Sequence, residues 1–322
     1  MPFYNAERFI QEAVESILGQ TFCNFELLAI DDGSSDASTE ILRRKSDNRI
    51  RILVNDRNIG LIESLNRGIR EARCELVARM DADDVSMSTR LAKQVTFMAN
   101  HPNVALLGTF ATFIDERGRS FHEGTVPTDT SALRVALIEG NCFVHTSVMF
   151  RRKPVMRVGG YRAVAEHAED YDLWLRIASD HDVANIAEPL VRYRVHEEQV
   201  SLKKLKLQRQ SANNARSKML PVWRDKGWIP RRVQKDGGLR NRLVGGNTAT
   251  GPDYIRWASL YAKMGNLHQA RVLACQAVIN SPLSSECWKG MVDIALTHVI
   301  GSEHRHVLYW YCRRVWTFLT AR

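Results

Sequence analysis

Two carboxylates one residue apart, Asp81 and Asp83, follow the apolar stretch Leu76-Val77-Ala78-Arg79-Met80. At a strand end turning into a loop, this spacing lets both acids point at one divalent cation. Hard oxygen donors of this kind suit Mg²⁺ or Mn²⁺. Such a cation would bridge the two phosphates of a nucleoside diphosphate and stabilise it as a leaving group. An isolated D-x-D also fits a solvated turn, with Asp84 adding a third acid ahead of the next helix. A second acidic step is Asp31-Asp32-Gly33-Ser34, after the apolar run Phe25–Ile30. It reads as an Asx turn that caps the following helix, or as carboxylates at a strand end that bond a base or ribose. Glu169-Asp170 opens a helical pattern, where the dipole favours acids. Alternatively, one of the two is a general base, because adjacent acids help raise a pKa toward the working range. His145 and His196 are either ligands or structural histidines.

The elements that must position these groups alternate in kind. Residues 6–19 place Phe9, Ile10, Ala13, Val14, Ile17 and Leu18 on one helical stripe. Strand-like Phe25–Ile30 follows, then a helix through Ile41 and Leu42, strand-like Ile50–Val54, a polar loop Asn55–Gly60 and a helix Leu61–Arg73. Leu76–Met80 reads as a strand, Ser86–Ala99 as a helix and Val104–Thr112 as a strand. Residues 113–200 are less regular, apart from the helix opening at Glu169 and the strand-like Leu190–Val195. This alternation predicts an α/β sandwich with a mostly parallel sheet. In such sheets ligands bind where the carboxyl ends of the strands meet the loops. Both aspartate steps sit at such ends and are expected on the same rim.

The bulk numbers bound the rest. A chain of 322 residues with 44% hydrophobic and 25% charged residues has room for two domains and a large core. The net charge of +9 is local: residues 203–242 hold 13 Lys and Arg against Asp225 and Asp236, so the remainder is slightly acidic. Such a block is a solvated face or meets an anionic partner. It lacks an aromatic-interleaved or helix-turn-helix pattern, so nucleic acid is not the expected partner; a membrane surface fits better. The six cysteines are scattered with no C-x-x-C pair, which argues against a zinc site and for a reducing compartment. No 18-residue apolar run or secretory signal is visible. The expected location is the cytoplasm, with peripheral contact at the inner face of the membrane. Tyr254–Pro282 has helical-hairpin spacing, with Tyr261, Gly265, Ala270, Ala274, Ala277 and Pro282 at tetratricopeptide-like positions. Trp288 could open a further helix. The aromatic and basic tail His304–Arg322 reads as a terminal helix or as an interfacial segment.

The order of motifs resembles the family 2 glycosyltransferases of the GT-A fold. The resemblance rests on Pro2-Phe3-Tyr4-Asn5-Ala6-Glu7, Gln20-Thr21, Phe25-Glu26-Leu27, Asp31–Asp36, Asn58-Ile59-Gly60-Leu61, Leu65–Ile69, Ala78–Asp84, Glu169–Trp174, and Tyr193-Arg194-Val195-His196 with Ser201. It covers about residues 1–201. The expected division is a GT-A domain over 1–202 from the resemblance and, from charge and helical spacing, a basic helical linker over 203–250 and a helical, tetratricopeptide-like region over 251–322. The resemblance implies that Pro2, Tyr4 and Asp32 hold the nucleotide base, with Asp31 and Arg79 nearby. Asp81 would bind ribose and metal, Asp83 the metal, and His196 would complete the metal shell. Asp170 would be the base of an inverting single displacement. The implied donor is a nucleotide-diphospho-sugar, foremost a UDP-sugar. The implied acceptor is a saccharide or lipid-linked saccharide of cell-surface polysaccharide biosynthesis, receiving a hexosyl or N-acetylhexosaminyl group. Two departures matter. The family has an apolar strand just before the P-x-Y-N segment, so the first strand is expected to be missing and the native start to lie upstream of Met1. The Q-x-x-R-W signature of processive members is absent after Asp170, which favours addition of one sugar. The rival readings are a catalytically inactive GT-A domain acting as a scaffold, and a sugar nucleotidyltransferase. The latter wants a G-x-G-T-R-type loop that the sequence does not contain.

Overall fold

A computed structural model describes residues 1–196, 204–228 and 251–264, together with 270, 273, 274 and 277. Residues 1–196 and 211–228 belong to one compact unit, and 204–210 and 251–277 to another. Ser201, residues 229–250 of the basic segment and linker, Gly265, Pro282, Trp288 and the tail from His304 lie outside the described residues.

The first unit opens with a parallel three-stranded sheet. Its strands are β1 (Pro2–Phe3), β2 (Leu27–Asp31) and β3 (Ile50–Val54), in the order β1-β2-β3. A strand therefore does precede the first helix. It is two residues long, held by the Ile30 N–H donating to the Met1 carbonyl and the Asp32 N–H to the Phe3 carbonyl. Three helices follow the predicted stripes: α1 (Ile10–Leu18), α2 (Ser38–Arg43) and α3 (Leu61–Glu71). Ile10, Ala13, Val14 and Ile17 of α1 pack with Leu27, Ala29 and Leu42.

The second sheet is mixed, with strands β4 (Leu76–Ala78), β5 (Val85–Ser86), β6 (Val104–Ile114), β8 (Met149–Arg151) and β9 (Asp182–Arg194) in the order β4-β8-β6-β9-β5. Strand β7 (Ser120–Gly124) joins β6 on the edge it also shares with β8. Only β6 and β9 run parallel here; the other pairs are antiparallel. The first sheet is thus wholly parallel, while the longest parallel ladder, β6–β9, lies in the second. The β6–β9 ladder shifts register three times, twice beside Pro189, which has no N–H to give the ladder. Ser86, expected to begin a helix, instead pairs with Val191. The helix α4 starts later and spans Arg90–Asn100.

Among the described residues no ladder joins the two sheets. A cavity of about 360 Å³ lies there, lined by Leu27, Ile30, Leu65, Leu76, Ala78 and Met149 among others. The main core is built around α7 (Glu169–Ala178), which follows α5 (Thr130–Glu139) and α6 (Arg152–Arg157). Nearly every α7 side chain is buried, as expected of a helix enclosed on all sides. Trp174 packs among Phe143, His145 and Tyr161. Asp172 takes a forked contact from Arg162 and a second from Arg176, whose guanidinium also donates to the carbonyls of Val158 and Gly160. That network ties the segment before Tyr161 to α7. Residues 211–225 of α8 (Leu205–Asp225) close this core, with Trp223 buried and its indole donating to the Ser179 hydroxyl at 2.6 Å. In the other unit, α9 (Gly251–Lys263) buries Tyr254, Ala258 and Tyr261, and Ala270, Ala274 and Ala277 are buried too. Cys23, Cys74 and Cys142 are unpaired, and burial pushes the Cys142 thiol up to about 12. No helix among the described residues is long and apolar enough to cross a membrane.

Candidate active site

The loop after β4 gathers three carboxylates rather than two. Asp81, Asp83 and Asp84 offer oxygens that lie within 4.8 Å of one another. The chain can hold them there because each neighbour is anchored. The Asp81 N–H donates to the Thr146 hydroxyl at 3.1 Å. The buried Arg194 donates from Nε to the Asp83 carbonyl at 2.7 Å and from its backbone N–H to Asp84 Oδ1 at 2.7 Å. His196, two residues past the end of β9 at Arg194, brings Nε2 to 3.0 Å from Asp83 Oδ2. Asp84 Oδ2 and His196 Nδ1 are buried and have no hydrogen-bond partner. Burial pushes the Asp81 and Asp84 carboxyls up, and repulsion from Asp83 adds to it. Clustered, partly orphaned hard-oxygen donors that repel one another fit a divalent cation, which would supply the missing positive charge.

Arg79 lies beneath this cluster. It is buried, its guanidinium pairs with Asp81, and its Nε has no partner. Its charge also acts on Glu169 and Asp170, where it opposes the upward shifts caused by burial. Glu169 is pushed up to about 7 by burial and by the Asp170 charge. Asp170 is likewise raised by burial, while hydrogen bonds hold it back: Oδ1 accepts from the Tyr171 N–H at 2.7 Å and Oδ2 from Asn141 Nδ2 at 2.6 Å. His145 is held neutral by burial and by Arg79, and its Nε2 meets the Tyr161 hydroxyl at 2.9 Å. Arg79 therefore links the carboxylate cluster after β4 electrostatically to the acidic start of α7.

The acids of β2 are placed differently. Asp31 and Asp32 are both buried, and all four oxygens already accept bonds. Asp31 accepts from the Ser34 N–H at 2.8 Å and from the Thr39 hydroxyl. Asp32 accepts from Asn55 Nδ2 at 2.7 Å, the Ile59 N–H at 3.0 Å and the Gly60 N–H at 2.9 Å. Asp31 organises the turn after β2 but does not cap α2, whose N-cap is Ala37 with no side-chain cap bond, and Asp32 satisfies the donors that lead into α3. A carboxylate oxygen accepts more than one bond, so these contacts leave capacity for a ligand. Gly33 has φ +78°, and a Cβ there would meet the Arg57 carbonyl carbon at 2.7 Å, so only glycine fits the turn. Tyr4, beside the buried Pro2, is half exposed with its ring available. No described contact ties Asp31 or Asp32 to the Arg79 group.

Sequence reasoning missed Asp84 as a third cluster member, Arg194 as its scaffold and Asn141 as the partner of Asp170. The only local signal was adjacency, for Asp84 to Asp83. Arg194 and Asn141 reach their partners from 110 and 29 residues away.

Known proteins resemble this chain in sequence and in fold. The sequence profile described as Glycosyl transferase family 2 matches residues 1–159. The chain is 33% identical over 210 residues to an uncharacterized glycosyltransferase of Haemophilus influenzae; the match takes in 62% of this chain and spans 65% of that relative's length. It is 31% identical over 205 residues to the O-antigen biosynthesis glycosyltransferase WbnJ of Escherichia coli, covering 61% of this chain and 78% of the relative. Its fold is similar to that of the mannosyltransferase PcManGT from Pyrobaculum calidifontis, solved with GDP-Man and Mn²⁺. That likeness has a TM-score of 0.55 at 20% identity over 94% of this chain and 86% of the other. With the family profile matched over residues 1–159 and a 31% identical glycosyltransferase covered over 78% of its length, the chain belongs to glycosyl transferase family 2.

Proposed function

We propose that this chain transfers one sugar from a nucleotide-diphospho-sugar, foremost a UDP-sugar, to a hydroxyl of a saccharide or lipid-linked saccharide, with inversion at the anomeric carbon. The observation that carries the reading is the pairing of two acidic groups around Arg79: the cluster Asp81, Asp83 and Asp84, and the start of α7 with Asp170. The O-antigen relative supports a role in building cell-surface polysaccharide. The Mn²⁺-bound neighbour supports a divalent cation. Asp81, Asp83 and Asp84 would hold that cation, with His196 oriented on Asp83. When bound, the cation neutralises the diphosphate leaving group.

The chain's own residues do the rest. Asp170 accepts the proton of the acceptor hydroxyl as that oxygen attacks, so a single displacement needs no covalent enzyme intermediate. Its burial raises its basicity toward the working range, and the Tyr171 N–H, the Asn141 amide and the Arg79 charge oppose that rise. Tyr4 offers an exposed ring against which a base can stack, and Pro2, Asp31 and Asp32 frame that end of β2. The pattern after Asp170 lacks the processive signature, in keeping with transfer of one hexosyl or N-acetylhexosaminyl group. Peripheral contact with the membrane through the basic segment would bring lipid-linked acceptors within reach.

The test uses the full chain with a panel of sugar nucleotides, Mn²⁺ and acceptor saccharides, reading released nucleoside diphosphate. Wild type turns over, and EDTA stops it. Asp170→Asn loses turnover by about a hundredfold or more while still giving a donor-dependent thermal shift. Asp83→Ala loses the Mn²⁺ response. Equal, metal-independent traces from wild type and Asp83→Ala would overturn the reading in favour of a binding module.

A further inference from the structure

We propose that Asn141 is a positioning residue for the Asp170 carboxylate, fixing how its oxygens are presented to the acceptor hydroxyl. The inference rests on the base role proposed for Asp170. Asn141 follows Gly140, the residue at which α5 ends. Its side chain bonds in two directions. Oδ1 accepts the Phe143 N–H at 3.1 Å, and Nδ2 donates to Asp170 Oδ2 at 2.6 Å. The first bond fixes which end of the amide is which: with the oxygen committed to a backbone donor, the NH₂ faces the carboxylate. Phe143 is buried against Trp174 of α7, with ring centroids 6.1 Å apart, so the turn that carries Asn141 is locked to the helix that carries Asp170.

The carboxylate is therefore held from both sides. The Tyr171 N–H takes Oδ1 and Asn141 takes Oδ2. Rotation of the carboxylate would break one bond or the other, and each oxygen keeps acceptor capacity for one proton donor. A general base needs this constraint, because a small misplacement of a reacting group costs up to about a hundredfold in rate. The same contact has an electrostatic side. Glu169, Arg79 and Tyr161 are the charged or titratable groups that face Asp170. Burial favours the protonated acid, whereas the Asn141 amide and the Arg79 charge favour the carboxylate. Loss of the amide donor thus makes Asp170 harder to ionise.

The experiment compares Asn141→Ala, Asn141→Asp and Asp170→Asn in the full chain, using the turnover assay above across pH. Asn141→Asp keeps the size of the side chain and an oxygen for the Phe143 N–H, but it puts a carboxylate where the donor was. Expected for Asn141→Ala is a fall in kcat of about tenfold to a hundredfold, donor KM within twofold of wild type, and an acidic limb of kcat/KM moved to higher pH. Asn141→Asp moves that limb at least as far. If both variants keep the wild-type acidic limb, the positioning role is refuted, even where either lowers the melting temperature. Wild-type turnover by Asp170→Asn would instead overturn the base reading itself. An inactive Asp170→Asn beside a normal Asn141→Ala would overturn only this inference.

Discussion

Glu169→Gln gives a direct measure of how strongly the fold strains the acidic start of α7. Glu169 is 8% exposed, and its carboxyl is pushed from 4.5 to about 7 by burial and the Asp170 charge. An acid with a raised folded-state pKa keeps its proton in the native chain while the unfolded chain has lost it. Between pH 4.5 and about 7 the native state therefore binds more protons, and stability falls as pH rises. Below pH 4.5 there is no penalty; above about pH 7 it is complete. A shift of this size corresponds to about 3 kcal/mol as an upper bound. Glutamine fills the same space without titrating. Urea denaturation of wild type and Glu169→Gln at pH 4 and pH 8 reads the term for Glu169 together with its interaction with Asp170, because carboxylates remote from this pair titrate alike in both. The variant should gain about 2–3 kcal/mol over wild type at pH 8 relative to their difference at pH 4. A difference that does not change with pH would show that Glu169 ionises normally in the native chain, and the buried-acid account of this site would be wrong.

Other outcomes follow from single contacts. Asp32→Ala removes the acceptor for Asn55 Nδ2 and for the N–H groups of Ile59 and Gly60. It should lower stability by about 1–2 kcal/mol, read as a drop in the urea midpoint, because the Ile59 N–H and one hydrogen of the buried Asn55 amide lose their acceptor, while the Gly60 N–H keeps Asn58 Oδ1. Trp174→Ala should cost about 4 kcal/mol by opening a void among Phe143, His145 and Tyr161. Trp174→Phe should cost less than about 1.5 kcal/mol, because the indole N–H it deletes has no hydrogen bond. Equal melting temperatures for the two Trp174 variants would refute that packing argument.

The legible parts of the sequence were those in which local pattern and tertiary role agree. Ile50–Val54 is a strand with the predicted bounds, and the stripe Ile10, Ala13, Val14, Ile17 is the buried face of α1. These elements answer to one parallel sheet, and their periodicity reports burial directly. Residues 113–200 were opaque because their pairing is remote and irregular: β6 meets β9 across some 80 residues of chain with three register shifts. The site divided the same way. Asp81, Asp83 and Asp170 stand at element ends, where sequence marks them. Asp84 looked like a helix-capping acid, yet it is buried under Arg194 because β5 is drawn into the sheet beside β9. Asp31 and Asp32 kept both of their readings, since an acid that organises a turn and an acid that meets a ligand have the same sequence.

The gap between the two sheets has a consequence for how the molecule breathes. The frame β1-β2-β3 carries Asp31 and Asp32 and the other carries the cluster after β4; among the described residues no β-ladder joins them, and single bonds such as Gln20 Nε2 to the Ser86 hydroxyl do. Amide exchange should therefore resolve two opening units, with β2 protected less than the long β6–β9 pair. A molecule whose base end rests on β2 and whose phosphates reach the carboxylate cluster would add a further cross-tie. Part of its binding energy would be spent joining the two halves, and their amides would then exchange as one.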